Sequence, residues 1–182
     1  PTQEGLYQHF STVAKETDLP IMLYNVPSRT AINMEPGTVA RLSSIKNIVG
    51  IKEASGSLVQ VSEIIDSCGP DFSVSSGEDA LTWPILAIGG KGVISVTANL
   101  VPGKFAKLCQ AAREGDVETA KALHYELLKL NDVMFIETNP IPVKAALALM
   151  GRIENEFRPP LCPPTEEHLS QLKTTLGVYA LA

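Results

Sequence analysis

The sequence predicts an α/β fold in which parallel strands alternate with helices, followed by a helical region. Two observations support this prediction. Four short apolar runs, typical of buried strands, alternate with segments whose apolar residues recur at helical spacing. After Gly115 the strand-like runs stop and only helical patterns follow. Strands that alternate with helices form βα units, and such units build a parallel sheet.

The predicted elements follow one another closely along the chain. The strands cover residues 20–26, 47–54, 72–76 and 92–97. The helices cover residues 6–14, 35–42, 58–67, 78–88, 102–114, 117–135, 140–150 and 166–176. A closed (β/α)8 barrel takes about 250 residues, so four βα units are enough for half of one. We therefore predict a partial (β/α)8 barrel over residues 1–115 and a C-terminal helical extension over 116–182, with an open doubly wound sheet as the alternative.

Charge and composition exclude several classes of function. The 15 Lys and Arg residues are outnumbered by 20 Asp and Glu, so no general positive field attracts nucleic acid. The apolar runs are far shorter than the roughly 20 residues that span a bilayer, and we expect no membrane and a cytoplasmic location. We expect no metal, because the cysteines and histidines match neither a disulfide framework nor metal-ligand spacing. These residues are Cys68, Cys109, Cys162, His9, His124 and His168.

The candidate catalytic residue is Lys52, near the carboxyl end of the second predicted strand. In the run 49–54 the two-residue period of a strand places Lys52 on the face of Gly50, opposite Val49 and Ile51. If the aliphatic residues face the helices, the amine points into the barrel, where burial favours its neutral, nucleophilic form. The alternative is a structural lysine that pairs with a buried carboxylate.

Two further side chains lie at the carboxyl end of the first predicted strand. Tyr24 shares the face of Met22, and its phenol can exchange protons while a neighbouring amine forms an imine. The alternative is a core tyrosine bonded to a backbone carbonyl. Arg29 follows in the βα loop, where its planar guanidinium suits a substrate carboxylate, although a surface arginine is the alternative. Residues 75–77 end the third strand at the same level and offer small polar walls.

Three motifs of this chain closely resemble the dihydrodipicolinate synthase family. They are LYNVPSRT at 23–30, GIKEASG at 50–56 and GVISVTAN at 92–99, and the resemblance extends through 1–7 and 138–144. It implies a class I, Schiff-base aldolase-type lyase with a TIM-barrel fold, of which this chain is the C-terminal portion. The implied reaction condenses pyruvate with L-aspartate 4-semialdehyde to 4-hydroxy-tetrahydrodipicolinate, in lysine and diaminopimelate biosynthesis.

The resemblance also implies roles for individual residues. Lys52 would form the covalent imine with pyruvate, with no other cofactor, and Tyr24 would donate and accept protons. Arg29 would bind the carboxylate of aspartate semialdehyde at the mouth of the barrel. Gly77 and Ile94 would help to line the pyruvate pocket. The family is usually tetrameric, so a homo-oligomer is expected.

Two alternatives to this function stay open. Related pyruvate aldolases such as N-acetylneuraminate lyase share the strand tyrosine and the lysine, although Arg29 favours the synthase family. The other alternative is a non-catalytic half-barrel whose open strand edges serve in assembly. Family members carry a preceding segment with the first four strands, further proton-relay residues and the lysine-feedback site. We therefore expect this chain to be a fragment.

Overall fold

A parallel sheet of four strands, in the order of the chain, organises the first part of the protein. We describe it from a computed structural model that covers all 182 residues. The strands are β1 Ile21–Asn25, β2 Ile48–Glu53, β3 Ser73–Ser76 and β4 Gly92–Val93. Each strand pairs in parallel with the next, and helices connect them. The prediction of an α/β fold with a parallel sheet is confirmed.

Five helices lie before or between these strands. They are α1 Gln3–Lys15, α2 Pro27–Thr30, α3 Pro36–Ser43, α4 Leu58–Cys68 and α5 Thr82–Ala87, with a 3₁₀ turn at Asp79–Leu81 before α5. The ends of α4 follow directly from the sequence. Ser57 caps its start, because the Ser57 Oγ accepts a hydrogen bond from Gln60 N at 3.2 Å. Gly69 follows its end with φ of 79°, a conformation that side-chain-bearing residues rarely adopt.

The core of this part lies between one face of the sheet and the helices. Leu23, Ile51 and Val74 occupy the same row of three neighbouring strands, and each is at most 2% exposed. Helices supply other large buried side chains, among them Val39, Leu42, Val61, Ile64 and Ile85. The face of the sheet that carries Ile51 is therefore the one that packs against helices, as the sequence predicted.

Val49 departs from the predicted alternation along β2. It is 39% exposed, whereas Ile48 is 2% exposed and belongs to the core. Ile21 pairs with Ile48 and Met22 pairs with Gly50, so Val49 is left over in the register. An extra residue in one strand reverses the faces before it. The expectation that Val49 shares the buried face of Ile51 is therefore wrong.

The last predicted strand, 92–97, is much shorter in the structure. Beyond β4, only the Ile94 N–H continues the ladder, with a hydrogen bond to Ser76 O at 2.9 Å. The partner strand β3 ends at Ser76, so no further parallel pairing is available. Ser95 lies just before a 3₁₀ turn, and its Oγ accepts a hydrogen bond from Ala98 N of that turn at 2.8 Å.

The chain divides into two compact units, Pro1–Ile94 and Ser95–Ala182, and the second contains helices and no strands. After a 3₁₀ turn at Thr97–Asn99 its helices are α6 Pro102–Glu114, α7 Val117–Val133, α8 Ile141–Leu149 and α9 Glu166–Val178. The predicted helical region after Gly115 is confirmed. The division into a partial barrel over 1–115 and an extension over 116–182 stays a prediction.

Each helix is too short or too polar to cross a bilayer.

A small polar cluster fixes the start of α9 within the second unit. The Oε1 atom of Glu137 lies 2.7 Å from His168 Nδ1 and accepts a hydrogen bond from Thr165 N at 3.0 Å. Thr165 in turn caps the helix, because its Oγ1 accepts from His168 N at 3.3 Å. The hydrogen bond from His168 is the main cause that lowers the pKa of Glu137 below its ordinary value of 4.5.

The Glu137–His168 contact predicts a dependence of stability on pH. A carboxyl group with a lowered pKa in the folded state stabilises that state above its unfolded pKa of 4.5, and this stability is lost as pH falls through the folded value. We expect Glu137→Gln to lower the free energy of unfolding by at most about 1 kcal/mol at neutral pH. The difference from wild type should vanish in acid. Urea unfolding of both proteins across this range measures it.

Glu154→Gln is the control, because Glu154 is exposed and forms no ion pair. A Glu137→Gln effect that is equal at neutral and acid pH would show that the carboxylate charge does not stabilise this cluster.

Candidate active site

A row of four residues lies side by side on the face of the sheet opposite Ile51. The pairing register aligns Tyr24 with Lys52, Lys52 with Ser75 and Ser75 with Gly92. We call the side of the sheet that carries this row the open face. The row lies near the carboxyl ends of the strands, where parallel α/β proteins place their functional groups.

The amine of Lys52 lies against the ring of Tyr24. The distance from Lys52 Nζ to the centroid of the ring is 4.3 Å. None of the ion pairs in the structure involves Lys52. The alternative of a structural lysine paired with a buried carboxylate is therefore wrong. A cation so close to an aromatic face is attracted by the ring, which positions the amine without consuming it in a salt bridge.

Tyr24 is not the core tyrosine of the alternative interpretation. Its side chain is 45% exposed, and its hydroxyl forms no hydrogen bond to a backbone carbonyl. A phenol in this state can still donate a proton to, or accept one from, a molecule that binds beside it. The structure thus brings together the two residues that the sequence predicted as partners.

Gly77 leaves the space that the Lys52 side chain occupies. A Cβ atom on Gly77 would lie 2.7 Å from the Ala54 Cβ, 3.1 Å from Glu53 O and 3.1 Å from the Lys52 Cε. The first two of these atoms are fixed by the ladder, because Gly77 N donates a hydrogen bond to Glu53 O at 2.7 Å. A residue without a side chain is required here for close approach. Whether Gly77 also lines a pyruvate pocket stays a prediction.

Arg29 lies on α2, directly after β1. The sequence predicts a loop for this segment, but Pro27 at the first helical position fixes a suitable φ, and the chain forms a single helical turn. The turn ends at Ala31, whose φ is 56°. The Arg29 side chain is exposed at the carboxyl end of β1. Its proposed contact with a carboxylate stays a prediction.

Ile94 lies at the corresponding end of β4. Its backbone extends the pairing with β3 by one hydrogen bond, and its side chain is 45% exposed. A large apolar side chain that remains so exposed at the carboxyl edge is available to contact a small molecule. Its role at the pyruvate pocket stays a prediction.

The end of β3 carries a polar turn next to Gly77. The buried Ser76 Oγ donates a hydrogen bond to Glu78 O at 2.7 Å and accepts one from Glu78 N at 3.2 Å. Burial, and to a lesser degree the charge of Asp79, raises the pKa of the Glu78 carboxyl. The edge of the candidate site therefore contains a half-buried acid that favours its protonated form more than an exposed glutamate does.

A buried polar network behind the site was not predicted from the sequence. Glu53, next to Lys52, is 1% exposed and accepts hydrogen bonds from Asn25, Ser55 and Gln60. The signal was present in the sequence, because strand alternation places Glu53 on the buried face of Ile51. A charged residue at a core position needs several partners, and these come from separate segments.

The other lysines near strands have different surroundings. Lys91 precedes β4, so it lies at the amino end of the sheet. Lys46 precedes β2 at the same end, where it lines an open cavity of about 490 Å³ with Lys15 and Asn47. Neither shares the row of Tyr24. Its position in the sheet therefore distinguishes Lys52 from these two lysines.

No group of three or more His, Cys, Asp or Glu residues is arranged to hold a metal ion. The expectation that the site works without a metal stays a prediction.

Comparison with known protein families identifies the chain. The model of the dihydrodipicolinate synthetase family matches residues 1–178, which include every residue of the candidate site. The chain belongs to this family. The motifs 23–30, 50–56 and 92–99, on which the resemblance was based, are the segments that form the carboxyl ends of β1, β2 and β4.

Individual members of the dihydrodipicolinate synthetase family are very similar to this chain. A 4-hydroxy-tetrahydrodipicolinate synthase from Nitratidesulfovibrio vulgaris is 55% identical over 182 residues, which is all of this chain and 62% of that protein. The crystal structure of dihydrodipicolinate synthase from Aquifex aeolicus has a TM-score of 0.98 at 48% identity, and the match covers 100% of this chain and 62% of that one. The chain thus spans less than two thirds of the length of these relatives.

A third member of the family was solved with a small molecule. It is the chloride-inhibited dihydrodipicolinate synthase from Acinetobacter baumannii, complexed with pyruvate. This structure is 41% identical, has a TM-score of 0.97, and is matched over 100% of this chain and 62% of that one.

The tight packing around Gly77 gives a prediction about the candidate site of the present chain. Gly77→Ala would force a Cβ against Ala54 and the Lys52 side chain, so we expect a loss of about 1–3 kcal/mol in the free energy of unfolding. We also expect the Lys52 amine to move away from the Tyr24 ring. Urea unfolding and a crystal structure of the variant measure the two effects.

Gly92→Ala is a matched control on the neighbouring strand. The nearest atom to a Cβ at Gly92 is Ser75 Oγ at 3.9 Å, an ordinary contact distance. Equal stability losses in the two variants would argue against a special packing role for Gly77.

Proposed function

We propose that this chain is part of a Schiff-base aldolase-type lyase that condenses pyruvate with L-aspartate 4-semialdehyde to 4-hydroxy-tetrahydrodipicolinate. The single observation that carries the proposal is the Lys52 amine, held 4.3 Å from the centre of the Tyr24 ring and free of any ion pair. Family membership and the pyruvate complex of the Acinetobacter baumannii relative support the choice of substrate. The pathway would be lysine and diaminopimelate biosynthesis.

The first half of the reaction uses the amine as a nucleophile. Neutral Lys52 attacks the ketone carbon of pyruvate and forms a carbinolamine, which loses water to give the protonated imine. The ketone oxygen must take up two protons to leave as water, and one of them comes from the attacking nitrogen. Tyr24 stands beside the amine on the neighbouring strand and is the group that would carry them.

The second half makes and breaks the bonds of the product. Loss of a methyl proton converts the imine to an enamine, whose carbon attacks the aldehyde of the second substrate and forms the new carbon–carbon bond. The amino group of that substrate then adds to the imine carbon and displaces the Lys52 amine, which closes the ring. Lys52 is regenerated, so the cycle needs no cofactor beyond this covalent imine.

Three other residues would bind the substrates. Arg29, exposed on the turn after β1, carries a planar guanidinium that suits the carboxylate of aspartate semialdehyde. Gly77 has no side chain to collide with Ala54 or with the Lys52 Cε, and from this place beside Lys52 it would help to line the pyruvate pocket. Ile94 offers an exposed apolar surface at the same edge of the sheet.

We also propose that the four strands are the C-terminal half of a (β/α)8 barrel. The parallel order of the sheet and the close match to longer relatives support this arrangement. Closing the barrel would cover the open face and shield the imine from bulk water. For this reason the experiments below use the complete product of the gene that encodes these residues.

The assembly and location of the protein are further proposals. We expect a homo-oligomer, and a tetramer by analogy with the family. Large apolar side chains exposed in the second unit, among them Tyr125, Phe135 and Val178, are consistent with contacts between copies. We expect a cytoplasmic enzyme that works without nucleic acid or membrane partners.

Covalent trapping tests the proposed role of Lys52. Incubation with pyruvate and borohydride should reduce the imine and leave one pyruvyl adduct per chain, which peptide mapping assigns to Lys52. Lys52→Arg should abolish the adduct, because guanidinium stays protonated and is not nucleophilic. Lys46→Arg is the matched control and should retain it. An adduct that maps to another residue would refute the assignment.

Removal of the Tyr24 hydroxyl tests its role in proton transfer. Tyr24→Phe keeps the ring against the amine, so we expect trapping still to occur at Lys52 but about 10²- to 10⁴-fold more slowly. The measurement is the rate at which the adduct forms, followed by short exposures to borohydride. Tyr7→Phe is the control, because Tyr7 lies on α1 beneath Arg41 and not in the site. Equal rates for Tyr24→Phe and wild type would contradict this role.

A further inference from the structure

We propose that Glu53 is a positioning residue for Lys52: its buried carboxylate joins the carboxyl ends of β1 and β2 and holds the amine beside Tyr24. The inference rests on the proposed function for its catalytic meaning. Its structural basis is independent of that function, because it consists of contacts within the sheet and its adjoining segments.

The carboxylate of Glu53 is saturated with hydrogen-bond donors. Its Oε1 accepts from Asn25 Nδ2 at 2.5 Å and from Gln60 Nε2 at 3.0 Å. Its Oε2 accepts from Ser55 N at 3.0 Å and from Ser55 Oγ at 2.7 Å. An ionised carboxylate only accepts hydrogen bonds, and all four of its partners here are donors. The charged side chain thus fits this place better than an amide of the same shape.

No cation accompanies the buried charge. Glu53 forms none of the ion pairs in the structure, although its side chain is 1% exposed. A buried carboxylate costs free energy unless its partners replace the lost water. Its partners are short polar side chains and one backbone N–H, which hold it in a fixed geometry. An apolar residue would fill the same core position without this cost, so packing alone does not account for a glutamate.

The partners of Glu53 also hold one another. Asn25 Nδ2 donates to Asn33 Oδ1 at 2.8 Å, and Asn25 Oδ1 accepts from Met34 N at 2.9 Å. Asn33 and Gln60 exchange two hydrogen bonds, of 2.7 Å and 3.1 Å. The network therefore connects β1, the 33–34 segment, β2 and α4. A side chain bound in this way has little freedom to change its rotamer.

The position of this network relative to the site gives it its effect on Lys52. Asn25 and Glu53 are register partners, and each directly follows a site residue, Tyr24 or Lys52, along its strand. Their side-chain bond on the buried face fixes the same two strand ends that present Tyr24 and Lys52 on the open face. The backbone continues this connection, because Ala54 N donates to Asn25 O at 2.9 Å. A shift of about 1 Å between reacting groups can cost about 10²-fold in rate.

Glu53→Gln is the decisive variant, because it keeps the shape and places an NH₂ group where two donors already point. We expect pyruvate still to be trapped at Lys52, with kcat reduced about 10- to 100-fold and KM for pyruvate changed much less. Ile64→Ala is the control for stability, since it leaves a cavity in the core and the Ile64 side chain forms none of the hydrogen bonds of the network. It should lower the urea midpoint but leave the trapping rate of the folded protein unchanged.

A second readout separates this inference from the proposed function. The rate of acetylation of Lys52 relative to Lys46 is measured by mass spectrometry without pyruvate. This ratio reports how strongly the surroundings of the Lys52 amine restrain it. We expect Glu53→Gln to move this ratio toward one, as Lys52 becomes an ordinary exposed lysine, and Ile64→Ala to leave it unchanged.

The outcomes are distinct. If wild type traps no pyruvate but the ratio changes in Glu53→Gln, the proposed function fails and the positioning by Glu53 stands. If the ratio and the trapping rate of Glu53→Gln equal those of wild type, or if both variants lose activity in proportion to stability, the positioning by Glu53 is refuted.

Discussion

Parallel pairing of β1 with β2 is the interaction on which the rest of the site depends. Tyr24 and Lys52 are 28 positions apart in the chain, yet the register places them opposite each other, with the amine 4.3 Å from the ring centre. The irregularity near Met22 helps to set this register, since it leaves Val49 over and pairs Met22 with Gly50. Without the extra residue, strict alternation would place Lys52 on the same face as the buried Ile48, and not on the open face.

The two faces of the sheet have different tasks at their carboxyl ends. One face packs Leu23 and Ile51 against the helices and then ends in a polar layer that includes Asn25 and Glu53. The other face leaves Tyr24 exposed. A purely apolar layer would also stabilise the strands. Hydrogen bonds depend on direction, so the polar layer restricts the rotation of one strand relative to the next more tightly.

Space is as important as contact in this arrangement. Gly77 leaves room for the Lys52 side chain, while its N–H continues the ladder to Glu53 O. Ser76 is buried and uses its hydroxyl within the turn at Glu78, so the turn needs no partner from elsewhere. The end of β3 is thus shaped by small residues that hold the backbone and leave room for the Lys52 side chain.

The sequence by itself determined the order of strands and helices, the face of Lys52 and its partnership with Tyr24, because periodicity and strand position are local properties. It also determined the family, through three motifs in correct order. Only the tertiary structure decided the position of Val49, the early end of β4 and the partners of Glu53. These depend on register and on segments distant in sequence, such as Asn33 and Gln60, and local patterns carry no information about which distant donors meet a buried charge.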